Sequence, residues 1–258
     1  MESSFTEWPG NFRSALSLTF DDARPSQLDT GVGVFAEFGV KVTFYVSPAG
    51  VAARRGEWLD VVRDGHEIGN HTVNHPCSGN FAFARDVALE EYTVARMQDE
   101  ITAADRFIDE QLDVRPKTFA YPCGQTFVGR GRACRSYVPL VAERFLAGRG
   151  YRAESANDPG FCDLSRLDAA GCDNLSAEEL IRLIDTARST GAWLILCGHE
   201  IGTPDDRLNT DPAALRRALE YALNERTDIW IAPVAEVASH VRSERTGDTG
   251  REIHVQDW

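Results

Sequence analysis

One stretch decides the fold class: Trp193-Leu194-Ile195-Leu196-Cys197, which is apolar at every position. A strand with one solvated face alternates apolar and polar residues, whereas a parallel strand covered by helices on both faces is apolar throughout. Two further runs, residues 16–20 and 42–46, are rich in aliphatic, β-branched and aromatic residues. The sequence therefore predicts an α/β protein with a buried parallel sheet.

Helical segments alternate with these strands along the chain. A capping box opens a helix at residues 176–179, and Pro212 falls in the first turn of another. Longer helical patterns run from 86 to 112 and from 138 to 146. About seven or eight βα units result, which predicts a (β/α) barrel. A doubly wound open sheet is the alternative, because alternation alone does not distinguish a closed sheet from an open one.

The composition excludes several classes of partner. The 258 residues carry 27 Lys and Arg against 40 Asp and Glu, a formal net charge of −13. This charge argues against binding to nucleic acid and to anionic lipid. No run approaches the about 20 apolar residues of a membrane span, and the first residues lack a basic and apolar leader. We expect a cytoplasmic protein, or a secreted one if a leader has been removed.

The six cysteines show no C-x-x-C pair and no zinc-finger spacing. A chain of this size can bury a sizeable core without disulfides. We therefore expect reduced thiols, with one or two bridges as the alternative in an exported enzyme.

Polar side chains follow several of the predicted strands. Asp21 and Asp22 end the first strand, His71 and His75 follow the third, and His199 follows the apolar run at 193–197. Strand ends of a parallel sheet share one edge, where chemistry is concentrated. The spacing His-x-x-x-His predicts two imidazoles on one face of a helical turn, and a strand-end aspartate can complete a metal site. Each pattern alone is weak, but their order at successive strand ends favours a metal centre.

Five ordered motifs share this arrangement. They read TFDD at residues 19–22, VTFYV at 42–46, HEIGNHTVNH at 66–75, FAYPCG at 119–124, and the strand that leads to His199. Together they resemble the polysaccharide deacetylase family, that is, carbohydrate esterase family 4 or the NodB homology domain. The motifs lie within about residues 14–240, so residues 1–258 are expected to form a single catalytic domain. The resemblance implies one deformed (β/α) barrel.

The resemblance also implies a metal site. Asp22, His71 and His75 would hold one divalent ion, most commonly Zn²⁺, with Co²⁺, Ni²⁺ or Mn²⁺ as alternatives. Asp21 would be the general base and His199 the general acid. A metal with three protein ligands and an open position polarises a carbonyl and lowers the pKa of a bound water.

The resemblance also implies residues that stabilise the oxyanion and orient the acid histidine. The backbone N–H of Cys123 would help to stabilise the oxyanion, with Pro122 and Tyr121 beside it in the substrate pocket. The family orients its acid histidine with an Asp or Arg, for which Asp168 and Arg166 are the candidates.

The sequence departs from the family pattern at three places. Ala23 stands where the first motif usually has glycine, and Cys123 where an aromatic residue usually follows the proline. Many members also have an arginine in the third motif that pairs with the catalytic aspartate, and residues 119–122 contain none. The sequence therefore does not indicate which residue pairs with Asp21 and adjusts its pKa.

The leading hypothesis is a metal-dependent hydrolase that removes acetyl groups from an N- or O-acetylated oligosaccharide or polysaccharide. A hydrolase of a non-peptide C–N bond in a small cyclic amide or ureide is the alternative, as some relatives of this fold have that activity. A catalytically silent carbohydrate-binding barrel is disfavoured, because candidates for both the base and the acid are present.

Overall fold

The computed structural model of the protein describes residues 5, 7–202 and 208–246. The strands are β1 (Ser14–Asp21), β2 (Thr43–Val46), β3 (Glu67–Asn70), β4 (Thr118–Ala120), β5 (Phe127–Val128), β6 (Arg135–Ser136), β7 (Ala147–Arg149), β8 (Ala170–Gly171), β9 (Trp193–Gly198), β10 (Glu200–Ile201), β11 (Asn209–Thr210) and β12 (Ile229–Ile231). All eight residues of β1 are buried, as expected for a strand covered on both faces.

Helices separate most of these strands. They are α1 (Val32–Phe38), α2 (Pro48–Ala53), α3 (Arg55–Arg63), α4 (Val94–Leu112), α5 (Val138–Arg144), α6 (Ala177–Thr190), α7 (Pro212–Glu220) and α8 (Val234–Thr246). Short 3₁₀ segments occur at Pro9–Asn11, Ala82–Val87, Leu89–Glu91, Pro122–Gly124, Gly131–Ala133 and Leu164–Arg166, and π-helical turns at Gln27–Gly31 and Tyr221–Glu225. No helix among the described residues has the length and apolarity needed to cross a bilayer.

The main sheet is parallel and curled. Its strands follow the order β7-β4-β3-β2-β1-β9-β8, and β12 pairs with the first residues of β1. The two ends of this order approach each other, because Arg149 of β7 forms a parallel bridge with Leu167, just before β8. The predicted deformed (β/α) barrel of seven or eight strands is thereby confirmed. The remaining short strands form two separate pairs, β5 with β6 and β10 with β11.

Two helix predictions were wrong at their ends. The helix expected from 86 to 112 begins only at Val94, where the Thr93 hydroxyl accepts a hydrogen bond from the Arg96 N–H and caps it. The residues before it form short 3₁₀ turns. The helix expected to reach 146 ends at Arg144, and a strand follows at once, because residues 147–149 pair with β4.

Candidate metal centre and active site

The two consecutive aspartates reach one side of the sheet through a turn in the backbone. Successive side chains of a strand point to opposite faces, but Asp22 and Ala23 have left-handed φ angles of 74° and 54°. As a result Asp21 Oδ2 lies 3.8 Å and Asp22 Oδ1 3.7 Å from His71 Nε2. The turn explains how neighbouring residues can take two roles in one site.

The left-handed φ at Ala23 favours the glycine usual in the related motif. Ala23 fits because Gly50 lies against it: a Cβ built on Gly50 would stand 2.7 Å from the Cβ of Ala23 and 2.5 Å from its carbonyl oxygen. The departure at Ala23 is therefore accommodated by a glycine elsewhere in the chain.

The predicted helical turn at His71–His75 is wrong, although the two imidazoles do meet. Residues 71–76 form a bent loop, in which Thr72 and His75 have φ angles of 63° and 48°. The His75 N–H donates to Thr72 Oγ1 at 3.1 Å, and the Thr72 N–H donates to Asn70 Oδ1 at 2.8 Å. The ring centroids of His71 and His75 are 4.8 Å apart. The tight turn, and not a helix, brings the two rings together.

A buried glutamate of α4 holds the outside of this loop. Glu100 accepts hydrogen bonds from the backbone N–H groups of Val73 and Asn74, at 3.1 and 3.0 Å, and from the Asn74 amide at 2.6 Å. Tyr92 also donates to Glu100 at 3.0 Å. Asn74 is therefore occupied in holding the turn.

The side chains of Asp22, His71 and His75 form a compact set of metal-ligating atoms that all lie within 4.8 Å of one another. Nδ1 of His71 donates to the Ala120 carbonyl at 2.9 Å, which leaves the lone pair of Nε2 facing the aspartates. This buried nitrogen has no hydrogen-bond partner among the described residues. His75 Nε2 lies 3.7 Å from Asp22 Oδ1. Two imidazole nitrogens and one carboxylate oxygen are donors that suit Zn²⁺ and similar ions, so the residues fit the implied metal.

Electrostatics keep Asp22 ionised. Burial would raise the pKa of Asp22, but positive charge on His71 and His75 when they are protonated, and on Arg24, holds it below its usual value. Arg24 adds a hydrogen bond from Nη2 to Asp22 Oδ2 at 2.9 Å. An ionised carboxylate is the form that a metal ligand needs.

Asp21 is paired with a buried arginine that the sequence analysis missed. Arg149 Nη2 donates to Asp21 Oδ1, and the guanidinium, which is 0% exposed, lies 4.9 Å from the centre of the Tyr45 ring. Burial would raise the pKa of Asp21, but Arg149, with His71 and His199, holds it well below its usual range. Asp21 is therefore an ionised carboxylate, able to accept a proton.

The register of the sheet shows how Arg149 compensates for the third motif. Ala120 of β4 pairs directly with Arg149 of β7. The arginine that is absent from residues 119–122 is thus supplied by the neighbouring strand at the same level of the sheet. No motif contains Arg149. The short strand that carries it directly follows the helical pattern of residues 138–146 and is not apparent in the sequence.

His199 is oriented by Asp173, and not by Asp168 or Arg166 as expected. Asp173 Oδ2 lies 2.7 Å from His199 Nδ1, and Asp173 Oδ1 accepts from the His199 N–H at 3.1 Å. β8 pairs with β9 so that Gly171 is opposite Cys197, which places residues 173 and 199 at the same level. Asp168 lies before β8, where it accepts a hydrogen bond from Ser155 at 3.2 Å, and Arg166 is exposed.

The pKa of His199 reflects this pairing. Burial would lower it, but the hydrogen bond to Asp173 and the charges of Asp21 and Asp173 raise it above its usual value. Gln27 also donates to the carbonyls of Asp21 and His199, at 2.7 and 2.9 Å, and so holds the ends of β1 and β9 together.

The predicted oxyanion segment follows β4. Tyr121 is fully buried and donates to the Ser165 carbonyl at 2.7 Å, so its side chain is not exposed to a substrate. Pro122 is also buried, and Cys123 has a left-handed φ of 53°.

Cys123 forms a disulfide with Cys77, with the two Cα atoms 6.2 Å apart. The expectation of reduced thiols is wrong for this pair, whereas Cys134, Cys162, Cys172 and Cys197 are free. The bridge joins the loops that follow the neighbouring strands β3 and β4, 46 residues apart in sequence, a pairing that no spacing rule indicates.

Part of the chain is similar to a known protein family. Residues 11–130 match the sequence profile of the family described as "Polysaccharide deacetylase". This stretch, a little under half of the chain, is similar to the polysaccharide deacetylase family. The resemblance inferred from the motifs is confirmed.

Individual relatives are distant. The peptidoglycan-N-acetylglucosamine deacetylase of Bacillus cereus is 32% identical over 77 residues, which cover 29% of this chain and 35% of that protein. A gellan lyase of a Bacillus species is 25% identical over 260 residues, covering 93% of this chain and 10% of that protein. The chain therefore spans between a tenth and about a third of the curated relatives it matches.

Solved structures show the same fold. A Mycobacterium smegmatis protein described as a polysaccharide deacetylase has a TM-score of 0.67 and 16% identity, covering 100% of this chain and 99% of that one. A family 4 acetyl xylan esterase from Clostridium thermocellum, in complex with a cobalt ion, has a TM-score of 0.58 and 19% identity, covering 87% and 90%.

The segment of this chain that matches the family profile ends before three residues of the site. Asp21, Asp22, His71 and His75 lie inside residues 11–130, whereas Arg149, Asp173 and His199 lie beyond. The structure brings both groups to one edge of the sheet, because the strands that carry them are neighbours in it.

Proposed function

We propose that this chain is a metal-dependent hydrolase that removes acetyl groups from N- or O-acetylated carbohydrates. The observation that carries the proposal is the convergence of three metal-ligating side chains with an ionised carboxylate and an oriented histidine. We further propose that these residues act within a single catalytic domain, because their strands belong to one sheet.

Each side chain has a definite part in this chemistry. Asp22, His71 and His75 would hold the divalent ion, most commonly Zn²⁺, which when bound polarises the acetyl carbonyl and lowers the pKa of a water molecule. Asp21 accepts the proton of the attacking water, since Arg149 keeps the carboxylate ionised. The backbone N–H of Cys123 is the proposed donor to the oxyanion.

The departing amine or alcohol needs a proton, which His199 supplies. Asp173 accepts the hydrogen bond from Nδ1 and favours the protonated ring, so Nε2 carries the proton that is transferred. His199 then has the charge and the orientation that a general acid requires.

The direct test is acetate release from acetylated chitooligosaccharides and from acetylxylan. We expect activity with at least one of them, loss of that activity on chelation, and recovery with Zn²⁺ or Co²⁺. Hydrolysis of allantoin or of cyclic imides without acetate release would contradict the proposal and favour the alternative. The relatives named above give that alternative no support. An active protein that is insensitive to complete metal removal would contradict the metal dependence alone.

A further inference from the structure

Two exposed phenylalanines stand beside the metal-ligating side chains. Among the described residues, the exposed large hydrophobic side chains are Phe81, Phe83 and Phe161, at 42%, 69% and 83% exposure. The Phe83 ring centroid lies 6.4 Å from that of His75 and 5.4 Å from that of Phe81. The His75 side chain is itself 27% exposed, so the site opens on the surface that carries these rings.

We propose that Phe81 and Phe83 form a stacking platform for a pyranose ring of the substrate, next to the unit that carries the acetyl group. The inference rests on the proposed function and makes it more specific: the substrate is a chain of sugars and not a single small molecule. No residue of the motifs assigns this role, since residues 81 and 83 lie outside them.

The chemistry of the two partners is complementary. A pyranose ring has C–H groups on its faces and hydroxyls around its rim, so a face can pack against an aromatic ring while the rim stays hydrated. Phe81 and Phe83 have no polar atom in their side chains, so their exposed faces gain only from an apolar partner. Their planes are inclined by only 31° to each other, so the two rings lie side by side at a small angle.

Hydrogen bonds hold the loop that carries the platform. The Leu89 N–H donates to the Cys77 carbonyl at 2.9 Å, closing the loop at its base. Glu90 accepts from Ser78 Oγ at 2.5 Å and from the Gly79 N–H at 2.9 Å. Phe83 belongs to the 3₁₀ segment Ala82–Val87, and its neighbour Ala84 is fully buried.

Contacts to the next loop fix the platform relative to the site. The Ser78 N–H donates to Gln125 Oε1 at 2.7 Å, and the Cys77–Cys123 disulfide ties the loop to the proposed oxyanion segment. A surface that is ordered in advance loses little conformational entropy on binding, which favours a ligand-binding role.

The experiment measures binding separately from turnover. Calorimetric titration with tetra-N-acetylchitotetraose and with acetylated xylotetraose is carried out on Asp21→Asn, which keeps the metal ligands but lacks the base. Phe83→Ala added to this variant is expected to weaken binding of at least one tetrasaccharide by about tenfold or more, and Phe81→Ala by less, because Phe83 is the more exposed and lies closer to His75. Phe161→Ala is the matched control, as an exposed phenylalanine outside this loop, and should leave binding unchanged.

Further variants separate stacking from folding. Phe83→Tyr keeps an aromatic face and should retain the affinity, whereas a structural defect would lower the melting temperature of Phe83→Ala relative to Phe161→Ala. In the enzyme with Asp21, Phe83→Ala should raise KM for the tetrasaccharide and leave cleavage of a small acetyl ester unchanged.

The outcomes distinguish the platform from the proposed function. Equal affinities of the Phe83→Ala and Phe161→Ala variants, or no binding of either tetrasaccharide, would overturn the platform, even if the protein releases acetate. Binding that depends on Phe83, in a protein that releases no acetate from any substrate, would retain the platform and overturn the deacetylase.

Discussion

The proposed metal side of the site and its proposed acid–base side are held by different kinds of contact. On the metal side, Asp22, His71 and His75 are positioned by tight left-handed turns in the backbone that follows β1 and β3. On the acid–base side, each functional group has a buried partner of opposite charge from a distant part of the chain. Asp21 pairs with Arg149, 128 residues away, and His199 with Asp173, 26 residues away.

The difference determines what each side needs in order to be complete. The metal side leaves the buried Nε2 of His71 without a partner among the described residues, so a cation would complete it. On the acid–base side, Asp21 and His199 each have an ion-pair partner, although the buried Nε of Arg149 has no hydrogen-bond partner among the described residues. A substitution on the acid–base side should therefore leave metal binding intact, and a substitution of a metal-ligating residue should leave the ion pairs intact.

Removal of a ligand should have the largest effect. Asp22→Ala takes away the only carboxylate of the ligand set, so we expect loss of bound metal and a fall in kcat/KM of about a thousandfold, from the several kcal/mol that a metal contributes. Metal content per chain and acetate release measure the two effects. An unchanged metal content would show that the ligand assignment is wrong.

Arg149→Met should break the acid–base side while the metal side survives. The substitution leaves Asp21 buried without its counter-charge, which should lower the free energy of unfolding by about 3–5 kcal/mol and activity by about a hundredfold. Denaturant titration, acetate release and metal content are measured together. Adding Asp21→Asn to Arg149→Met removes the unpaired charge and should restore part of the stability without activity. Loss of metal in Arg149→Met would contradict the independence of the two sides.

The same contrast explains which residues could be predicted from the sequence. The proposed ligands Asp22, His71 and His75 lie at short spacings directly after recognisable strands, so they could be predicted from the sequence. The helical turn predicted for the two histidines is wrong. The partners of the acid and the base depend on which strands are neighbours and in what register. Arg149 lies opposite Ala120, and Asp173 follows β8, which pairs with the strand β9 that leads to His199. Neither relation can be predicted from the residues near each position.

The smallest predicted effect concerns the orientation of the acid. Asp173→Asn removes the carboxylate whose hydrogen bond and charge help to raise the pKa of His199, so that pKa should fall and the ring should lose its proton at a lower pH. Because the acid must be protonated to act, the alkaline limb of the kcat/KM profile should move to lower pH, with a loss of about tenfold near neutrality. The control Asp168→Asn changes an aspartate of the same segment that does not contact His199, and should leave the limb in place. A limb that does not move in Asp173→Asn, or that moves equally in both variants, would show that His199 is not the acid that Asp173 orients.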